Sequence, residues 1–177
     1  MKRICVYCGS SPGRNPAYAD AASQLAGEMC ARGIGLVYGG AAIGVMGAIA
    51  DAVLAGDQEV IGVIPESLAV KEVAHQNLSA LHIVSSMHER KAMMAELADG
   101  FIAMPGGWGT LEEIFEILTW AQLGFHEKPC GLLNIGAYYD NLIRFLENSF
   151  EQEFVNQQCR PMLIEAREPG LLLDQFA

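Results

Sequence analysis

Gly100-Phe101-Ile102-Ala103-Met104-Pro105-Gly106-Gly107-Trp108-Gly109-Thr110-Leu111-Glu112-Glu113-Ile114-Phe115-Glu116-Ile117-Leu118 reads as a strand handed to a helix through a glycine-rich turn. Gly100 to Ala103 is a short apolar run of buried-strand character, whereas Ile114, Ile117 and Leu118 recur at helical spacing. The first N–H groups of a helix have no partner within it, and the positive end of its dipole lies there. A glycine-rich entry therefore favours an anion such as a phosphate. A carboxylate within the first turn is out of keeping with that site and points to chemistry beside the phosphate.

Outward from this stretch, apolar runs alternate with helical patterns throughout. Strands are expected at 3–8, 35–38, 60–64, 81–84, 100–104, 130–133 and 162–165. Helices are expected at 16–32, 44–55, 87–98, 110–123 and 138–150, with a short one near 169–176. This order implies right-handed βαβ crossovers and a doubly wound α/β fold, a parallel sheet with helices on both faces. No linker, repeat or low-complexity segment divides the chain, and its 177 residues suit one domain over 1–177. The long irregular piece, Pro65 to Ala80, has the character of a binding loop.

Ligands of such sheets lie beyond the carboxyl ends of the strands. Three glycine-bearing loops are expected there: Gly9-Ser10-Ser11, Gly39-Gly40 through Gly44, and Pro105 to Thr110. Neither the G-x-G-x-x-G dinucleotide fingerprint after the first strand nor a P-loop is present. For Gly44 and Gly47 two readings stay open, a tight packing position or a ligand contact.

Bulk composition narrows the partners. Hydrophobic residues make up 51% of the chain and charged residues 18%, which excludes disorder and suits a sheet covered on both faces. Apolar runs such as Ile61 to Ile64 and Leu171 to Leu173 are too short to span a bilayer. Met1-Lys2-Arg3 resembles a signal n-region, but Gly9-Ser10-Ser11-Pro12 ends the apolar segment too soon, so a cytoplasmic protein without a membrane partner is expected. A net charge of −10 argues against a nucleic-acid partner, because counterion release needs a basic stripe. Among five cysteines, Cys5-Val6-Tyr7-Cys8 has C-x-x-C form, yet residues three apart in a strand point to opposite faces. Buried apolar thiols are expected, and the histidines (His75, His82, His88, His126) lack metal-ligand spacing, so no metal site is expected.

Two acids and two cations remain as chemistry. Thr110 followed by Glu113 fits a capping box, in which Glu113 only stabilises a helix start. Arg90 shares a helical stripe with Met94 and Leu97, where it must snorkel, pair with an acid or meet an anion. Arg90 and Lys91 are also adjacent cations in a first turn, which the helix dipole opposes. An anionic ligand at the strand ends removes both difficulties, and a salt bridge is the competing account.

Pro105-Gly106-Gly107-Trp108-Gly109-Thr110-Leu111-Glu112-Glu113 resembles the PGGxGTxxE signature of the LOG (Lonely Guy) family, with Glu113 as its final glutamate. Met87-His88-Glu89-Arg90-Lys91 is similar to that family's second block at the expected separation. Val6 to Ser11, Tyr38-Gly39-Gly40, Gly44 to Gly47, Ile61 to Pro65, Trp120 to Gly124 and Lys128 through Asn134 extend the likeness over nearly the whole chain. The resemblance implies a Rossmann-like fold and hydrolysis of the N-glycosidic bond of an adenosine-type 5′-monophosphate, a cytokinin riboside 5′-monophosphate or AMP. Free base and ribose 5-phosphate are the implied products. It also implies a homodimer with active sites near the interface, and no cofactor. By carry-over Arg90 and Glu113 are the catalytic pair, and Lys91 with Gly107, Trp108, Gly109 and Thr110 hold the phosphoribosyl part. Gly9, Ser10, Gly39, Gly40, Gly106 and Glu72 are further substrate contacts. One departure stands out: Ala41 follows Gly39-Gly40 where the family often has a third glycine.

Cleavage of a ribosyl C–N bond develops positive charge on the sugar, which a carboxylate such as Glu113 stabilises while it orients the attacking water. Arg90 is too weak an acid to donate a proton, so it is expected to bind ligand oxygens and keep Glu113 ionised. Two rival activities compete with this one. The first is a nucleotide or molybdenum-cofactor carrier of the same fold, which has no need of the Arg90 and Glu113 pair. The second is the family's older label, lysine decarboxylase, which needs a Schiff-base lysine in a pyridoxal-phosphate setting. None of Lys2, Lys71, Lys91 and Lys128 has that setting in the sequence. For the base, Met93, Trp108, Trp120 and Phe125 are candidate pocket walls and equally candidate core or dimer contacts.

Overall fold

The computed structural model describes residues 1–69 and 74–176. Seven parallel strands form one sheet: β1 (Arg3–Tyr7), β2 (Gly35–Tyr38), β3 (Val60–Pro65), β4 (Ala80–Val84), β5 (Gly100–Ala103), β6 (Cys130–Leu133) and β7 (Leu163–Ala166). Their spatial order is β4-β3-β2-β1-β5-β6-β7, so the chain turns back after β4 and the order reverses between β1 and β5. That reversal is the topological switch point, where a doubly wound sheet opens a crevice for a ligand.

The helices are α1 (Ala17–Ala31), α2 (Gly44–Ala55), the short α3 (Glu66–Ala69), α4 (Met87–Leu97), α5 (Trp108–Gln122), α6 (Asp140–Glu151) and α7 (Pro169–Asp174). Each predicted strand and helix is present to within a few residues, and the α/β doubly wound class is as expected. No helix among the described residues is long and apolar enough to cross a membrane.

The strands alternate their side chains between two cores. Ile4, Val6 and Cys8 meet α1, α2 and α7 through Leu25, Met29, Ile49, Val53 and Leu172. Cys5 and Tyr7 meet the opposite layer through Met94, Ile114 and Ile117 of α4 and α5. The C-x-x-C pair is thus split between the two faces of the sheet, and burial pushes both thiols well above the ordinary cysteine range.

Candidate active site

Three loops meet backbone to backbone at the carboxyl ends of the central strands. The Gly9 N–H donates to Pro105 O at 3.2 Å, and the Val45 and Met46 N–H groups donate to Gly9 O at 3.0 and 3.2 Å. Gly44 has φ +64°, and a Cβ there would lie 2.4 Å from Ser10 backbone atoms. A Cβ at Gly47 would lie 2.4 Å from Ala42 O, so close packing fixes both glycines. Ala41, which replaces the third glycine, is fully buried within the α1 and α2 core and pairs with Ala74 across an isolated bridge. Its methyl is absorbed by packing.

The glycine-rich turn follows β5. Helix α5 begins at Trp108, two residues before the predicted start, with Gly107 as N-cap and no side-chain cap. Thr110 therefore sits inside the first turn, and the predicted capping box with Glu113 does not form. The physical reason is local: Thr110 is buried under Gly106, whose Cα is so near that a Cβ would lie 2.1 Å from Oγ1. A side-chain cap forms instead at α4, at N-cap Ser86, from a Ser-x-x-Glu pattern not singled out in the sequence. Ser86 accepts from the Glu89 N–H at 3.2 Å, and the Glu89 carboxylate accepts from the Ser85 N–H at 2.8 Å and hydroxyl at 2.7 Å. Those two bonds hold the Glu89 carboxyl below its ordinary range.

Gly107, Trp108 and Gly109 are exposed, and Gly106 is half-buried. Gly9, Ser10, Pro105, Gly106 and Gly107 line a cleft of about 300 Å³ together with Tyr18 and Tyr138. Neither tyrosine was foreseen. Tyr138 donates to Gly106 O at 2.5 Å, and the buried Tyr139 donates to Met104 O at 2.6 Å. Both bonds hold the entry to the turn, on either side of Pro105.

Arg90 is buried, with 4% of its surface exposed. Its Nε donates to Val63 O and its Nη2 to Gly39 O, each at 3.0 Å, so the ends of β2 and β3 grip the guanidinium. The absence of a side chain at Gly39 makes this grip possible, because a Cβ would stand 2.1 Å from Nη2. Gly40, at φ +79°, accepts the His75 N–H at 3.0 Å. Glu113 is 5% exposed and faces β1. Its charge raises the pKa of Cys5, Tyr7 and Cys8, and the charge of Arg90 acts on Cys5 in the opposite direction.

Lys91 is also buried, and its ammonium lies between Glu112 at 2.5 Å and Glu116 at 3.0 Å on α5. Burial disfavours that charge, but hydrogen bonds to Glu112 and Glu116 outweigh it and the lysine pKa ends above its ordinary value. Lys91 thereby fastens α4 to the start of α5. Glu72 lies outside the described residues. Of the candidate base contacts, Trp108 is 91% exposed beside the turn. Trp120 and Phe125 line a separate cleft with Phe101, His126 and Lys128. Trp120 lies twelve positions beyond Trp108, about 18 Å along the helix axis. Met93 is half-buried against the core on the α4 and α5 face.

The described residues contain no cluster of His, Cys, Asp and Glu that could hold a metal ion. What the arrangement offers is an exposed glycine turn at the start of α5, a buried Glu113 within that helix, and a buried guanidinium held by two backbone carbonyls. Burial of ionisable side chains such as Arg90 and Glu113 is costly without good partners and is frequent at functional sites.

Comparisons with known proteins agree with this geometry. The family model described as "Possible lysine decarboxylase" matches residues 46–176. The chain is 50% identical over 179 residues to the cytokinin riboside 5′-monophosphate phosphoribohydrolase LOG of Oryza sativa subsp. japonica, covering 99% of this chain and 74% of that protein. It is 48% identical over 176 residues to the enzyme of the same name, LOG7, of Arabidopsis thaliana, covering 99% of this chain and 81% of that protein. Among solved structures it resembles the molybdenum cofactor binding protein of Rippkaea orientalis, with TM-score 0.72, 21% identity and coverage of 99% and 95% of the two chains. The Moco carrier protein of Chlamydomonas reinhardtii follows with TM-score 0.71, 17% identity and coverage of 99% of both. The structural likenesses carry the fold, and the sequence matches carry the family: this chain belongs to the LOG family of cytokinin riboside 5′-monophosphate phosphoribohydrolases.

Proposed function

We propose that this protein hydrolyses the N-glycosidic bond of adenosine-type nucleoside 5′-monophosphates, releasing free base and ribose 5-phosphate. The observation that carries the reading is the burial of both Glu113, in the helix that follows the glycine-rich turn, and Arg90, held by carbonyls of β3 and of Gly39 after β2. Relatives about half identical over the whole chain bear the corresponding enzyme name. The 5′-phosphate binds the N–H groups at the start of α5, with Gly106, Gly107, Trp108, Gly109 and Thr110 around it and Gly9 and Ser10 opposite. Glu113 then lies against the sugar, where it stabilises the cationic centre and orients water for attack at C1′.

Arg90 already donates to two carbonyls, so its guanidinium plane is preset and needs no reorganisation when substrate arrives. It balances the Glu113 charge and presents its remaining N–H groups to ligand oxygens. Gly39 serves this site by admitting Arg90 at the end of β2, and Gly40 by the positive-φ turn that follows it. Lys91 acts by fixing α5, and a direct substrate contact from it requires exchange of Glu112 or Glu116. Glu72 completes the proposed set of substrate contacts. A homodimer is part of the reading, because exposed Ile83, Met87 and Trp108 offer apolar surface for a second copy. Absence of nucleic-acid partners is proposed from the acidic charge, and a cytoplasmic setting from the short apolar runs and the early break after the first strand.

A decarboxylase reading meets a chemical obstacle. A Schiff-base lysine must lose its proton, whereas buried Lys91 is held charged by two carboxylates. Lys128 donates to Ala95 O at 2.8 Å above the Phe101 ring. Incubation with AMP and with N6-prenylated AMP, followed by chromatography, tests the proposal. Release of adenine or prenyl-adenine with an equal amount of ribose 5-phosphate is expected, and release of neither overturns it.

A further inference from the structure

The peptide between Gly106 and Gly107 stands at the mouth of the cleft, and it is flanked by two residues without Cβ atoms. A flip of that peptide inverts ψ of Gly106 and φ of Gly107, which glycine permits on both sides. The consequence for an anion is large. In one orientation the Gly107 N–H is available to the ligand, and in the other a carbonyl oxygen takes its place and repels it. Gly107 has φ −97° and ψ −150°.

The Tyr138 hydroxyl donates to Gly106 O at 2.5 Å. In a trans peptide the N–H points away from the carbonyl, so this bond also fixes the direction of the Gly107 N–H. We infer that Tyr138 is a positioning residue that latches the Gly106–Gly107 peptide in its anion-binding orientation. The inference rests on the phosphate-binding role proposed above for the turn.

The chain spends conformational strain to put Tyr138 there. After β6, Gly136 and the non-glycine Ala137 both adopt left-handed backbone, at φ +60° and +61°. Asn134, fully buried, accepts the Tyr139 N–H at 2.8 Å and donates to Asp140 and Glu165, each at 2.8 Å. Tyr138 itself packs edge-on to Tyr18 and to Tyr139, with centroids 5.8 and 4.9 Å apart. Yet Tyr138 is 43% exposed while Tyr139 is 1% exposed. A core role explains Tyr139, whereas the half-exposed Tyr138 is held in place by its ring contacts and its hydroxyl bond to Gly106 O.

Tyr138→Phe in the full chain is the test, with inorganic phosphate as probe and amide resonances of the turn as the signal. Wild type and variant are titrated below either melting transition. Loss of one hydrogen bond of ordinary strength predicts a phosphate Kd raised roughly 2- to 10-fold. KM for AMP rises in parallel, kcat stays within about twofold, and exchange broadening appears at the Gly107 amide. An unchanged phosphate Kd overturns the latch. If the wild type binds phosphate in a Tyr138-dependent way but releases no base from AMP, the latch stands and the proposed activity falls.

Discussion

Helices α1 and α2 cover one face of the sheet and α4 and α5 the other, yet they bury different things. The first pair packs Ala22, Leu25, Ala26, Met29, Ile49 and Val53 against the strands, all fully buried and all apolar. The second pair buries Arg90, Lys91, Thr110 and Glu113 among its apolar residues. Transfer of charged groups from water is expensive and is repaid only by good partners. The structure supplies them: two strand-end carbonyls for Arg90 and two carboxylates for Lys91. One layer is therefore wholly apolar, and the other also holds the residues proposed above for the chemistry.

Substitutions that separate stability from turnover test this division. Arg90→Ala has the largest expected effect. It leaves Val63 O and Gly39 O without their donor and removes the charge opposite Glu113. Base release from AMP should fall roughly 100- to 1,000-fold, as for loss of a preorganised donor in other enzymes. Unfolding free energy should fall with it by about 1–3 kcal/mol for each carbonyl left unsatisfied. Denaturant melts and initial rates on the same preparation check both, and a variant as stable and as active as wild type would break the comparison.

Leu25→Ala probes the opposite coat. The cavity it leaves should cost about 2–5 kcal/mol of stability. Its kcat/KM, measured where the protein remains folded, should match wild type. A large loss of activity there would show that the α1 and α2 layer also takes part in chemistry.

Lys91→Gln should be the mildest, because Glu112 is half exposed and its pairing is screened by solvent. A loss of about 1 kcal/mol or less is expected. The sign with pH follows from the raised lysine pKa: the contribution is fully present below the ordinary lysine range and disappears as pH rises through the folded value. The stability gap between wild type and variant should thus be constant near neutrality and narrow in strong alkali, as urea titrations at stepped pH will show.

Most of the architecture was legible because alternating apolar runs and helical periods are local signals. Arg90 and Glu113 were legible as members of two motifs, and both are buried. What escaped were features set by distant backbone. The start of α5 shifted because Gly107 caps it and Thr110 packs under Gly106, which outweighs the Thr-x-x-Glu pattern. The partners of Lys91 lie 21 and 25 positions along the chain, beyond any local rule. The tyrosine anchors depend on where the turn after β6 comes to rest against the turn after β5, which no spacing encodes. The pocket residues divided similarly: Trp108 stands at the turn, whereas Trp120 belongs to another cleft.

The central claim is that Glu113 is buried to act on the glycosidic bond. Glu113→Gln keeps the shape and removes the charge. Single-turnover base release from AMP, measured alongside direct AMP binding, isolates that charge. The account predicts AMP binding within a few-fold of wild type and base release slowed by about 100-fold or more. Base release at the wild-type rate would contradict it.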